Sequence, residues 1–365
     1  MTGELRSRAV EKLGFTDRQA RFLVTVMLHG GVCVPRQYAA FAGIAYGHKV
    51  NLFFAKLVRL GFATVCDCRH NRGRLYHLHH TGLYRAIGEP DSRFRRPVSA
   101  ARVLERLMMV DGVVANPELD WLGTEQERVD FFAKTVPSMP PERLPHVTVG
   151  GSSHHVRRFP ERLPIGIESS GRVVFFYLVT PSIDEWFHAF LHGHGALLQA
   201  LPAWTVRLIV PRHAGIGPAI ESAAREELTA RFVRERIAEL RWYFEQCRVS
   251  KERTPLAMAD RFWRAREAFS TPRCRELYRR WMRDGEVAFE AVSSTAIADA
   301  LERGTGRIES HALPCSYEHL SPLVASARLM PKGVEDGEQR GEQGFARPQP
   351  PGVDSTRSVH GWSDV

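Results

Sequence analysis

Long hydrophobic runs are missing from this 365-residue chain. Its longest apolar stretches, such as residues 173–179, fall far short of the about 18 residues needed to cross a bilayer, so no membrane span is expected. The opening residues, Met1-Thr-Gly-Glu-Leu-Arg6, lack the basic, apolar, then small-residue order of a secretory signal. Disulfide-like cysteine spacing is absent too. Cys33, Cys66, Cys68, Cys247, Cys274 and Cys315 are scattered, which excludes a disulfide-framed small domain and fits a reducing cytosol. A cytoplasmic protein is expected.

Signatures of common catalysis are also lacking. No Gly-x-x-x-x-Gly-Lys-Ser/Thr loop occurs, and the glycines at 193 and 195 have neither the strand-to-helix setting nor the third glycine of a dinucleotide site. Ser169 and Ser170 do not sit in a Gly-x-Ser-x-Gly elbow. Lysine is absent between Lys134 and Lys251, which bears on any metal-dependent nuclease chemistry in that stretch.

What is present suffices for two or three folded domains: 44% of residues are apolar. Charge is unevenly placed. Residues 1–100 hold 16 Lys/Arg against 6 Asp/Glu, a balance of +10, while the whole chain is +9, so the other 265 residues sum to about −1. A basic head on a nearly neutral body points to nucleic acid as the head's partner.

Within the head, Thr16-Asp-Arg-Gln19 has the form of a capping box, and a helix over 17–28 follows, with Phe22, Leu23, Val26 and Met27 at helical spacing. Gly30-Gly31 should end it. A second helix is expected over 35–42, a turn over 43–47, and a third helix over 48–60. At 100° per residue, Val50, Phe53, Phe54, Leu57 and Val58 fall on one face of the third helix. His48, Asn51, Leu52, Ala55 and Arg59 fall on the other, with Lys49 and Lys56 at its flank. Short polar groups at the centre suit base edges and long cations at the edge suit phosphates. Two strands, 62–65 and 75–78, then flank a basic turn, Arg69-His-Asn-Arg72-Gly-Arg74. Three helices and a hairpin with a basic tip make a winged helix-turn-helix, expected over residues 1–90. Such a unit can also serve protein contacts alone.

Residues 91–136 read as a helical connector. It holds the linker arginines Arg93, Arg95 and Arg96, a helix opened by Pro97, and a shorter helix capped by Thr124-Glu-Gln-Glu127. The linker arginines fit either a phosphate-contacting hinge or a solvated connector. Four prolines between 137 and 145 break the chain. Residues 137–216 then read as strands at 147–149, 164–168 and 173–179, a helix toward Leu201 capped at Ser182, and a strand at 205–210, an α/β unit with a crossover. Residues 217–330 read as helical, with a long helix starting at Pro218 and a stripe from Ile220 to Phe244. Residues 231–283 carry 15 Lys/Arg against 7 Asp/Glu among aromatics, which fits a packed aromatic stripe with a solvated arginine face or a second surface for an acidic partner. Residues 331–365, rich in Gly, Pro, Gln and Asp, should be disordered. The fold class expected overall is α+β.

The order of motifs resembles the replication-relaxation family of bacterial mobile-element proteins. The resemblance is carried by Phe15-Thr-Asp-Arg-Gln-Ala20, the helix-turn-helix, Leu163-Pro-Ile-Gly-Ile-Glu168, Gly171-Arg-Val-Val-Phe-Phe-Tyr-Leu-Val-Thr180 and Val206-Arg-Leu-Ile-Val-Pro211, and covers residues 15–230. It implies a winged helix followed by a domain like the PD-(D/E)xK nucleases. Such a nuclease needs an acid on one strand, and an acid and a lysine on the next, to hold Mg²⁺ and activate water. Glu168 could be the first acid, but Phe176, Tyr177, Leu178 and Val179 occupy the next strand. A catalytically silent nuclease-like domain is therefore expected.

Two histidine-rich spots carry residue types that could ligate a metal. His188, His192 and His194 have zinc-compatible spacing without an accompanying glutamate or cysteine, and Gly193 and Gly195 should end the helix, so a capping role is expected. Cys66 and Cys68, with His70, His77, His79 and His80, would be split between faces by strand alternation. The expectation is no metal, no cofactor and no catalysis.

The sequence thus predicts a double-stranded DNA-binding protein of a mobile element, acting in transcription, replication or transfer. His48 and Asn51 would read bases, and Lys49, Lys56, Arg59, Arg69, Arg72 and Arg74 would mostly bind phosphate. A homodimer and replication or conjugation proteins are further expected partners. The rival readings are a nuclease with an unrecognised active site and a protein-only assembly module.

Overall fold

The computed structural model describes residues 1–68, 73–97, 99–149, 155–160, 163–179, 184–211, 217–230, 233–249, 256–315 and 317. The expected tail over 331–365 lies outside them.

The chain opens with α1 (Gly3–Glu11), and the Thr16 capping box starts α2 (Asp17–His29). Gly31, at φ 72°, then turns the chain beneath Phe94, whose carbonyl oxygen stands where a Cβ would lie. A two-residue strand, β1 (Val32–Cys33), precedes α3 (Pro35–Ala42), which ends at Gly43 in the left-handed conformation. Next come α4 (His48–Arg59), β2 (Ala63–Asp67), β3 (Arg74–Leu78) and α5 (Thr81–Ala86). The three strands form an antiparallel sheet in the order β1-β3-β2. β1 is too short, at two residues, to show a period in the sequence, whereas α1 does carry a local signal, the Thr2 hydroxyl that accepts the Leu5 amide at 3.4 Å. Phe22, Tyr38, Phe53, Phe54, Tyr76 and Tyr84 are buried as one core, with ring centroids 4.3 Å apart for Tyr38–Phe53 and 4.4 Å for Phe54–Tyr76.

After a 3₁₀ turn at Arg93–Arg95, α6 (Ala100–Val114) starts three residues beyond the proline expected to open it. α6 is shared. Val110 enters the head core, while Val103, Leu107 and Met108 pack against Val174, Phe176 and Ile209 of the body. The body continues through β4 (Asp120–Trp121), α7 (Glu125–Thr135), β5 (His146–Val149), β6 (His155–Arg158), β7 (Ile165–Ile167), β8 (Val173–Leu178), α8 (Asp184–Ala200) and β9 (Trp204–Val210). α9 (Gly217–Thr229), α10 (Arg234–Val249), α11 (Leu256–Ala268), α12 (Pro272–Asp284), α13 (Val287–Ser293), α14 (Ala296–Glu302) and β10 (Gly306–Ala312) complete it.

The chain is thus a mixed α+β protein. A five-stranded sheet runs β10-β9-β8-β7-β4, with β8, β9 and β10 parallel and β7 and β4 antiparallel. Every residue of β8 is buried, because α6 covers one face of the sheet and α8 and α9 cover the other.

The layout differs from expectation in three places. The sheet draws β4 and β10 from outside residues 137–216, since strand pairing joins segments that local pattern cannot connect. β5 pairs with β6 in a separate two-stranded ribbon and not with the main sheet. The expected long helix is divided into α9, which buries Ile220 and Ala224 against the sheet, and α10, whose Leu240, Tyr243 and Phe244 form another core with Phe269, Leu277, Trp281 and Phe289. Val233, which falls within the expected stripe from Ile220 to Phe244, is 64% exposed just before α10.

Head and body share a polar joint. Arg36 on α3 grips Asp111 on α6 through two bonds of 2.7 and 2.8 Å, and Asp111 also accepts the hydroxyl of Tyr317. Arg36 lies 3.1 Å from the Cys315 sulfur and 5.3 Å from the Tyr317 ring centre. Beside it, the Gln37 amide donates to the Leu107 carbonyl at 2.9 Å.

Candidate functional site

The α4 helix is fixed from within and bare outside. Gly43 lets the chain reverse after α3, and the Ile44 amide closes the turn on the Ala39 carbonyl at 3.0 Å. Val50, Phe53, Phe54 and Leu57 are buried, as the wheel predicts. Val58 is instead 37% exposed, a correction: it lies at the rim of the apolar face, where the core no longer covers it. His48, Lys49, Asn51, Ala55 and Arg59 are all exposed, and Leu52 among them is 54% exposed. Tyr46, just before the helix, is also exposed and was missed, because a turn residue shows no periodicity.

Lys56 is not available in the way expected. Its ammonium donates to the Gly14 carbonyl and lies 4.9 Å from the Phe15 ring centre, so it ties α4 to the turn before α2. Arg74 is exposed on β3, opposite Asp67 on β2, with a nitrogen–oxygen separation of 3.3 Å. Its contacts with the Tyr76 hydroxyl, then with Asp67, raise its already high pKa and aim it along the hairpin. The Cys68 amide meets the Gly73 carbonyl at 2.7 Å at the base of the loop. Arg69 and Arg72 lie outside the described residues.

The head's excess charge is partly offset within the fold. Arg6 pairs with Glu127 of α7 at 2.6 Å and Arg36 with Asp111, so carboxylates of the body neutralise cations of the head. Arg18 donates to the Ala42 carbonyl, and Arg95 donates to carbonyls of His79 and Pro90. These arginines are structural, and sequence counting cannot separate them from Lys49 and Arg59.

Glu168, the carboxylate weighed for catalysis, belongs to the β7–β8 turn. It accepts the Ser170 hydroxyl at 3.1 Å and lies 3.9 Å from Arg172, which in turn donates to the carbonyls of Trp204 and Thr305. The neighbouring strand presents six buried apolar residues. Among the described residues, no group of three His, Cys, Asp or Glu side chains converges as a metal site.

Comparison of the chain with protein-family models, with curated proteins and with solved structures finds no match.

The helix expected to end at His188, His192 and His194 runs on, and of the three side chains only that of His194 is among those described. α8 runs through Gly193 and Gly195 to Ala200, so these glycines do not end it. His194 is buried mid-helix, its Nδ1 donating to the Phe190 carbonyl at 2.9 Å, and burial pushes its pKa down to about 4. Burial likewise holds His77 at about 4, with Nε2 donating to the Phe94 carbonyl at 3.0 Å. Burial, then the charges of Arg128 and Arg6, hold His29 at about 3. All three rings are neutral structural groups at neutral pH.

Proposed function

We propose that the head is a winged helix-turn-helix that binds double-stranded DNA, with α4 in the major groove and the β2–β3 hairpin beside it. The observation that carries this reading is the outer face of α4: exposed His48 and Asn51 at its centre, Lys49 and Arg59 at its rim, and a rigid aromatic backing behind. A helix held in this way can present short polar groups to base edges while cations meet phosphates. The order of α2, β1, α3, α4, β2 and β3 supports the assignment.

The body is proposed to be a catalytically silent nuclease-like domain. The succession β4, β7, β8, α8, β9, antiparallel through β8 and parallel after the crossover, supports that likeness. The apolar β8 argues against cleavage. Together with the motifs linking the chain to the replication-relaxation family, this makes a mobile-element accessory factor or regulator the best-supported role.

The test is selection of bound duplexes from a random DNA pool by the full chain, followed by anisotropy titrations at two salt concentrations. An enriched motif with a steep salt slope is the expected result, and a palindromic motif would indicate a dimer. Absence of retention would overturn the reading in favour of a protein-binding module, which would use the exposed Tyr46, Leu52, Val58, Leu60 and Val65 of the head.

A further inference from the structure

The outer face of α4 is divided lengthwise by chemistry. Along the line that points straight away from the core lie His48, Leu52, Ala55 and Arg59, whose spacing places them on one stripe of the helix. All four are exposed. Asn51 and Val58 adjoin the stripe on one side, and Lys49 and Lys56 on the other. The middle of the face is thus apolar, with an imidazole at one end and a guanidinium at the other. Leu52 is a large apolar side chain left in water there. Val50, Phe53, Phe54 and Leu57 fill the core side of the helix, so burial of Leu52 needs a surface from outside the chain's own head.

Each base edge in the major groove asks for a different group. Guanine is matched by a long cation reaching N7 and O6, cytosine by a carboxylate that accepts from N4, and thymine offers a methyl group to apolar side chains. α4 contains no Asp or Glu, so it has no carboxylate for cytosine. Of its cations, Lys56 is committed to the Gly14 carbonyl and the Phe15 ring, Lys49 lies at the edge of the face, and Arg59 is the last residue of the helix. None of them occupies the middle. Leu52 and Ala55 can meet a base edge only through carbon. Asn51, beside them, carries the paired acceptor and donor that match adenine N6 and N7. Asn51 and Leu52 are also the fourth and fifth residues of α4, in the half of a recognition helix that contacts base edges.

We propose, resting on the reading of α4 as the recognition helix, that Leu52, with Ala55 alongside, packs on the 5-methyl group of a thymine while Asn51 binds a nearby adenine. The preferred duplex then has A·T pairs beneath the middle of α4, with G·C pairs confined to the ends, under His48 and Arg59. Discrimination comes from the methyl group itself: without it, Leu52 faces a polar edge and its apolar surface stays wet.

The experiment takes the duplex enriched by the full chain and replaces thymine with uracil one position at a time, which removes the 5-methyl group and keeps every base-pairing group. Uracil outside the enriched motif is the control. At one position of the motif the replacement should weaken binding by the parent about 3- to 10-fold, with no effect in the flanks. Leu52→Ala should lose a similar factor on the thymine duplex and become indifferent to uracil at that position, because the group that senses the methyl is gone. Asn51→Ala should keep the sensitivity to uracil. An enriched motif without A·T pairs, parent binding that ignores uracil throughout the motif, or a Leu52→Ala loss equal on both duplexes would overturn the inference while leaving α4 a reader of DNA. Retention of no duplex at all would remove the reading on which the inference rests, and the inference with it.

Discussion

Asn51 and Arg74 predict different kinds of failure. Asn51 is exposed and supports no packing, so Asn51→Ala should change stability by no more than about 0.5 kcal/mol while altering preference at one or two base pairs of the selected site. Arg74→Ala should weaken all duplexes alike and reduce the salt slope by about one, because a phosphate contact carries no sequence information. An unchanged slope would remove the hairpin from the interface. The buried histidines make a separate prediction about acid. His29, His77 and His194 are held at about 3, 4 and 4 in the folded chain, against 6.5 when free. Between those values the unfolded chain binds protons that the folded chain refuses. Their contribution is therefore complete above pH 6.5 and is lost as pH falls toward 4, at up to about 4 kcal/mol per pH unit if all three act. Urea melts at pH 7, 6 and 5 should show the midpoint falling, and a flat midpoint would mean that the rings are charged or exposed.

At the scale of elements, two glycines separate conformational strain from collision. Gly43 has φ 62° and open space where a Cβ would be, so Gly43→Ala should cost about 1 kcal/mol. Gly31 has φ 72° and the Phe94 backbone against it, so Gly31→Ala should cost about 2 kcal/mol or more. Denaturant titration of the two variants checks the order, and equal costs would show that the turn beneath Phe94 yields. The same distinction between local and distant causes explains what could be read from the sequence. α2, α3 and α4 were readable because Thr16, Pro35 and Gly43 act on their own neighbours. β4 and β10 were not, since each becomes a strand only by pairing with a distant segment. The α4 face followed from helical periodicity, but the diversion of Lys56 to Gly14 depends on α1 and α2 packing beside it.

Across the whole molecule, Asp111 joins the parts. Its side chain is 7% exposed and accepts from both Arg36 and Tyr317, so Asp111→Ala would leave a half-buried guanidinium without its carboxylate. A loss of about 3 kcal/mol is expected, with faster hydrogen exchange concentrated in α3 and α6. Uniform acceleration across the chain would mean that the joint stabilises no particular contact. The position of β10 has a consequence for biosynthesis. The strand pairs along the full length of β9, yet almost a hundred residues of chain separate the two. At roughly 5–20 residues per second on the ribosome, β9 would wait roughly 5–20 s for its neighbour, exposing a row of unpaired amides and carbonyls. The head, whose strands all lie within its own segment, faces no such delay. Nascent chains stalled before β10 should therefore carry a protease-resistant head and a body that still depends on chaperones.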